Sequence, residues 1–127
     1  MNKRILVIDD EKIVGRAISR ILQSRGYEVE VSLSGEEGVK LAQEKDFQMA
    51  LVDLVLPGID GLQACRQLKE CSPLMKLVLM SGYTEKLHEI KEAFASIESC
   101  PHFVEKPFGG DEILNITNDF FERGVGC

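Results

Sequence analysis

The chain has 127 residues, of which 44% are hydrophobic and 28% charged, with a formal net charge of -6. This mix excludes a disordered tract, the length suits one domain over residues 1–127, and the acidic balance argues against direct binding to nucleic acid or an anionic membrane. No apolar run approaches the roughly 20 residues of a membrane span, and the four apolar residues after Lys3-Arg4 are too few for a signal-peptide core, so a cytoplasmic location without membrane insertion is expected.

The predicted elements follow one another as strand and helix pairs. Ile5-Leu6-Val7-Ile8 is a short apolar run of the kind buried on both faces of a parallel sheet, and it ends in Asp9-Asp10-Glu11. A helix from about Lys12 to Ser24 carries Val14, Ala17, Ile18, Ile21 and Leu22 on one face, with Gly26 as its stop. Val29, Val31 and Leu33 alternate with Glu30 and Ser32, which suits a strand at the sheet edge. Ser34 and Glu37 have capping-box spacing and open a helix to about Glu44, with Val39 and Ala42 inward.

The third strand, Met49 to Val52, runs into Asp53 and then Leu54-Val55-Leu56-Pro57-Gly58-Ile59-Asp60-Gly61. Asp60 is a good N-cap for a helix with Leu62, Cys65 and Leu68 on its apolar stripe, ended by Pro73. Leu77 to Met80 forms a fourth apolar strand leading into Ser81-Gly82-Tyr83-Thr84, where Thr84 caps a helix bearing Leu87, Ile90, Phe94 and Ile97. Phe103-Val104 is a short fifth strand that ends at Lys106-Pro107-Phe108. Asp111 caps the last helix, whose apolar positions are Ile113, Leu114, Ile116, Phe120 and Phe121, and the tail 124–127 frays. Five successive βα units imply an α/β fold: a five-stranded parallel sheet with right-handed crossovers and five helices on both faces.

In such a sheet every strand ends on the same edge, so residues far apart in the chain meet there. Asp9 and Asp10, Asp53, Ser81 and Lys106 stand at four of the five strand ends; the second strand offers none. Three clustered carboxylates are costly unless a cation neutralises them. Carboxylates without His or Cys suit a hard ion with oxygen ligands, in practice magnesium, which leaves positions open for phosphate oxygens. Lysine and a hydroxyl donor can meet phosphoryl oxygens, and an aspartate can attack phosphorus to form an acyl phosphate. Taken singly these residues have plainer roles, Asp53 as a turn or cap residue and Asp9-Asp10-Glu11 as a helix-opening cluster; convergence on one edge favours phosphoryl transfer. The four cysteines show no C-x-x-C pair and the two histidines no zinc-ligand spacing, so reduced thiols and solvated histidines are expected.

Four pieces, in this order, resemble the receiver domains of bacterial two-component response regulators: Ile5 to Glu11, Asp53 to Gly61, Leu79-Met80-Ser81-Gly82, and Phe103-Val104-Glu105-Lys106-Pro107-Phe108. The resemblance covers essentially the whole chain. It implies a flavodoxin-like, doubly wound (βα)5 fold with strand order 2-1-3-4-5, and a phosphorylation-controlled signalling switch rather than a turnover enzyme. By that resemblance Asp53 is the phosphoacceptor, served by a sensor histidine kinase or a histidine phosphotransfer protein. Asp10 is a direct Mg2+ ligand, Asp9 acts through water, and Asp53 and the Val55 carbonyl complete the metal set. Ser81 is the switch hydroxyl, Lys106 contacts the phosphoryl group through a loop with a cis bond to Pro107, and Phe103 is the switch aromatic. The altered surface is then the fourth helix, fifth strand and fifth helix, offered to a downstream protein target that the sequence does not name.

The chain departs from the commoner pattern in having Phe rather than Tyr at 103, Ser rather than Thr at 81, and a few extra residues around Ser96 to His102. Val55 overhangs the site and cannot hydrogen-bond an attacking water, which predicts slow loss of phosphate. Tyr83 is either packing or a gate. Three other readings compete: a phosphate-independent interaction module, the receiver portion of a hybrid histidine kinase, and an Asp-nucleophile phosphatase of the haloacid dehalogenase type. The last lacks its general acid because position 55 is Val.

Overall fold

Five short runs of apolar residues, each followed by an amphipathic stretch, fold as the alternation demands. In the computed structural model, which describes residues 3–82 and 84–123, the elements are β1 (Arg4–Ile8), α1 (Lys12–Gln23), β2 (Glu28–Ser32), α2 (Gly35–Glu44), β3 (Met49–Asp53), α3 (Gly61–Cys71), β4 (Lys76–Ser81), α4 (Leu87–Ala95), β5 (His102–Glu105) and α5 (Gly110–Arg123). All strands pair in parallel in the order β2-β1-β3-β4-β5.

Both faces of the sheet are covered, which is why β3 and β4 are buried from end to end. Strand residues alternate between two cores. Leu6, Ile8, Ala50, Val52, Leu77 and Leu79 pack with Val39, Ala42, Ala64, Cys65, Leu68 and Phe94 of α2, α3 and α4. Ile5, Val7, Met49, Leu51, Val78 and Met80 pack with Ile18, Leu22 and Ile113 of α1 and α5. The register sets Ile8 beside Val52 and Asp53 beside Met80, so the carboxyl ends of β1, β3 and β4 finish side by side.

Helix starts follow local chemistry. Asp60 and Gln63 form a complete capping box at α3. Ser34 makes only half of one: its hydroxyl accepts from Glu37 N, while its own N–H turns to the Ser32 hydroxyl. Thr84 does not cap the fourth helix. It forms a local turn, accepting from Lys86 N at its hydroxyl and from Leu87 N at its carbonyl, and α4 begins at Leu87, with Ile97 beyond its end. Likewise α5 starts at Gly110, so Asp111 stands inside the first turn with Glu112, where their charges favour the helix dipole. Gly26 stops α1 with φ 89°.

Four further expectations are corrected, three by burial and one by a covalent bond. Ala17 is exposed, whereas Gly15 is buried against Val31 of β2, where a Cβ would come within 2.8 Å of the Val31 side chain. The inward residue at the end of β2 is Ser32, fully buried, with Val31 and Leu33 at the surface, so this strand too ends in a polar group. His102 is not simply solvated: it opens β5, and its Nδ1 is buried. Cys65 and Cys71 are free thiols, as expected, but Cys100 is disulfide-bonded, which no motif spacing signalled. Tyr83 and the tail 124–127 lie outside the described residues.

Candidate functional site

Each charged group at the sheet edge is delivered by the rigid end of a strand. Asp9 follows β1 and is fully buried; its N–H donates to the Ser32 carbonyl, and its Oδ1 accepts from Glu11 N at 2.9 Å. Asp53 is the last residue of β3 and only 5% exposed. The loop beyond it is held by Leu54 N donating to Met80 O, and by Gly61 N donating to Leu54 O. Gly61 permits that closure: a Cβ there would lie 2.3 Å from the Asp53 carbonyl oxygen and 2.6 Å from Leu54 Cα. Asp10, one residue after Asp9, is exposed.

Lys106 closes the site from the other side. Its N–H donates to the Ser81 carbonyl at 2.7 Å, and the Lys106–Pro107 bond is cis. Its Nζ donates to Asp9 Oδ2 at 2.8 Å and lies 3.2 Å from Asp53 Oδ2. One ammonium therefore bridges two buried carboxylates separated by 44 residues of chain.

The electrostatics follow from this arrangement. Burial, then the neighbouring Asp9 charge, push Asp53 up from 3.8 to about 6, although the Lys106 charge and hydrogen bond oppose the rise. For Lys106, burial works against the charge, but the Asp9 and Asp53 carboxylates outweigh it and hold the ammonium above its usual range. Oxygens of Asp9, Asp10 and Asp53 lie within 4.8 Å of one another, a group that could hold a metal ion. The donor set fits a hard divalent cation: three carboxylates with no nitrogen or sulfur, an exposed member at Asp10 that leaves access, and an unfavourable charge on Asp53 that a cation would relieve.

A model of the response regulator receiver domain matches residues 5–118. The chain belongs to this family. It is similar to the alkaline phosphatase synthesis transcriptional regulatory protein PhoP of Bacillus subtilis, 29% identical over 113 residues that cover 89% of this chain and 46% of the relative. The chain thus spans less than half the length of the curated relatives it matches. Among solved structures, the receiver domain of DrrB in a BeF3-activated form is 28% identical, with a TM-score of 0.82 over 97% of this chain and 100% of that one. A CheY-like receiver from Methanospirillum hungatei shares the fold with a TM-score of 0.86 at 24% identity, covering 97% and 96% of the two chains.

The receiver fold brings Asp9, Asp10, Asp53 and Lys106 together, and Ser81 ends the neighbouring strand. The Ser81 hydroxyl does not reach the carboxylates: it donates to the Gly82 carbonyl at 2.9 Å. Val55 stands beyond β3 with 72% of its surface exposed. Phe103 is half-buried in β5, paired with Leu79, and packs on the α2, α3 and α4 side. At the opposite end of β4 the sequence reading missed a second buried polar group. Glu98, 4% exposed, accepts from Lys69 Nζ and from Leu77 N, both at 2.9 Å. Beside it Lys76, also 4% exposed and pushed down by burial, donates to the Cys100 carbonyl. The extra residues between α4 and β5 are thereby anchored to α3 and β4. The Cys65 thiol, pushed up to about 12 chiefly by burial, stays protonated and unreactive.

Proposed function

We propose that this receiver domain is a phosphorylation-controlled signalling switch that takes a phosphoryl group from a sensor histidine kinase or a histidine phosphotransfer protein onto Asp53, and that it works in the cytoplasm. The observation that carries the reading is the single lysine, Lys106, held between Asp9 and Asp53 beside the acidic group that could hold a metal. One Asp53 oxygen attacks phosphorus as the phosphorus–nitrogen bond of the donor breaks, and the departing imidazole nitrogen keeps that electron pair. Asp9, Asp10, Asp53 and the Val55 carbonyl would hold Mg2+, with Asp10 contacting it directly and Asp9 through water. When bound, the ion supplies positive charge for phosphoryl oxygens. Lys106 is within reach to neutralise a further phosphoryl oxygen.

The readout uses residues next to the site. Ser81 would leave the Gly82 carbonyl and donate to the phosphoryl group, and Phe103 would change rotamer as Ser81 moves. The surface formed by α4, β5 and α5 would then present a different face to a downstream protein. No nucleic-acid contact is part of this reading. Residues 1–127 act as one receiver unit, whether alone or as the receiver portion of a longer protein such as a hybrid histidine kinase.

The test is incubation with acetyl phosphate and Mg2+, followed by intact mass and tandem mass spectrometry of the product. Wild type should gain one phosphoryl group on Asp53, and Asp53→Asn or added chelator should prevent it. Phosphate retained at another residue in Asp53→Asn, or no phosphoprotein in wild type, refutes the reading. Steady turnover of a chromogenic phosphate ester would favour a phosphatase instead. An unchanged spectrum and partner affinity with beryllofluoride would favour a phosphate-independent module.

A further inference from the structure

We propose that Lys91 of α4 is a latch on the switch aromatic: its ammonium holds the Phe103 ring in the resting rotamer, the role that a ring hydroxyl would have if residue 103 were Tyr. The proposal rests on the switch reading of Phe103 and adds to it a positioning residue. Lys91 Nζ lies 5.2 Å from the Phe103 ring centroid, inside the range over which a cation is drawn to an aromatic face. Among the described residues Lys91 makes no ion pair, although its neighbour Glu92 pairs with His88 one turn back. The ring is therefore the described partner of this charge.

The surroundings make that contact decisive. Phe103 is half-buried rather than locked in the core, and a cavity of about 240 Å3 lined by Lys91, Phe94, Pro101 and Phe103 lies against it. Phe103 packs against the core on one side, and the cavity leaves room beside the ring on the other. A phenyl ring has no hydroxyl with which to bond at the surface, so the cation–aromatic contact with Lys91 is the described polar contact that favours its present position. In a two-state switch, an interaction made only in the resting state lowers the apparent affinity of any ligand that selects the other state. Removing Lys91 should therefore make the domain easier to activate, without touching any group of the phosphorylation site.

The sign of this effect separates a latch from an ordinary charge effect. The site already gathers three carboxylates, and the chain is acidic overall. Removing a lysine from such a protein should weaken the binding of an anionic phosphoryl analogue through long-range repulsion. A latch predicts the opposite.

The experiment titrates purified protein with beryllofluoride at fixed Mg2+, following the 19F signal of 4-fluorophenylalanine at position 103, assigned by its loss in Phe103→Leu. Lys91→Met keeps the aliphatic stem and should lower the half-saturating beryllofluoride by about two- to fivefold, the worth of one exposed cation–aromatic contact. Its ligand-free 19F signal should move toward the beryllofluoride-bound position. Lys91→Arg should restore the wild-type midpoint, because guanidinium also stacks on aromatic faces. In a Phe103→Leu background, followed by backbone amide spectra, Lys91→Met should no longer lower the midpoint. A wild-type response with an unchanged or raised midpoint in Lys91→Met overturns the latch alone, as does an equal lowering in the Phe103→Leu background. Absence of any wild-type response overturns the switch reading and the latch with it.

Discussion

Asp53→Asn should stabilise the metal-free protein at neutral pH. Burial and the Asp9 charge hold the Asp53 proton in the folded state up to about pH 6, against an ordinary value of 3.8. Each pKa unit is about 1.36 kcal/mol, so keeping this carboxylate charged in the folded state costs about 3 kcal/mol at most. The sign follows from proton counts. Between about pH 4 and 6 the folded state binds more protons than the unfolded one, so this group's contribution to stability falls as pH rises through that window. Asn removes the charge, and its amide oxygen can still accept from Lys106, which keeps Asp9 as an ion partner 2.8 Å away. Urea denaturation in the presence of chelator should find Asp53→Asn more stable by about 1–3 kcal/mol at pH 7.5, with the gap closing below about pH 4. Saturating Mg2+ should narrow the gap by stabilising wild type more than the variant. Equal stabilities at pH 7.5 together with parallel pH profiles would refute the account of a strained carboxylate.

Three further outcomes test other parts of the molecule. Val55→Asn and Val55→Glu should lose phosphate from purified phosphoprotein faster than wild type, since each places a hydrogen-bonding group over the site; unchanged decay rates would contradict this. Gly61→Ala forces a Cβ against the Asp53 carbonyl and Leu54, which should lower stability by about 1–3 kcal/mol and slow phosphorylation by acetyl phosphate, both read on the same preparation. Glu98→Ala leaves Leu77 N unpaired and Lys69 without its carboxylate, so thermal and urea unfolding should show a loss of about 3 kcal/mol. Glu98→Gln, which keeps an acceptor for Leu77 N, should lose less.

The strands and the order of elements were legible because parallel strands buried on both faces are written as short unbroken apolar runs, as Leu6 to Ile8 and Leu77 to Met80 show. The charged groups that meet at the sheet edge were legible for a topological reason: Asp9, Asp53 and Lys106 each stand where a run ends. What escaped had no periodic signal. Glu98 and Lys76 look like solvated charges in sequence, and only tertiary packing shows the backbone amide and carbonyl that they serve. Ser32 was read as the polar face of an edge strand, yet its hydroxyl-bearing side chain is fully buried at the end of β2. Thr84 has the right chemistry for a cap, but a turn through Lys86 takes up its oxygens first. Ser81 is the last residue of β4, while the partner of its hydroxyl, the Gly82 carbonyl, depends on a rotamer that no sequence pattern encodes.

The contact between Lys106 and the two aspartates has a consequence for how the protein unfolds. Lys106 directly follows β5, a four-residue strand on the outer edge of the sheet, and is held there by the hydrogen bond that its N–H donates to the Ser81 carbonyl. Edge strands with few ladder bonds are the segments that open first in the native ensemble. Detachment of this one strand would leave β1 and β3 intact but remove the cation that bridges their carboxylates. Chemical competence would thus vanish before the fold does, so hydrogen exchange at the amides of β5 should track loss of phosphorylation under mild denaturant while the central strands remain protected.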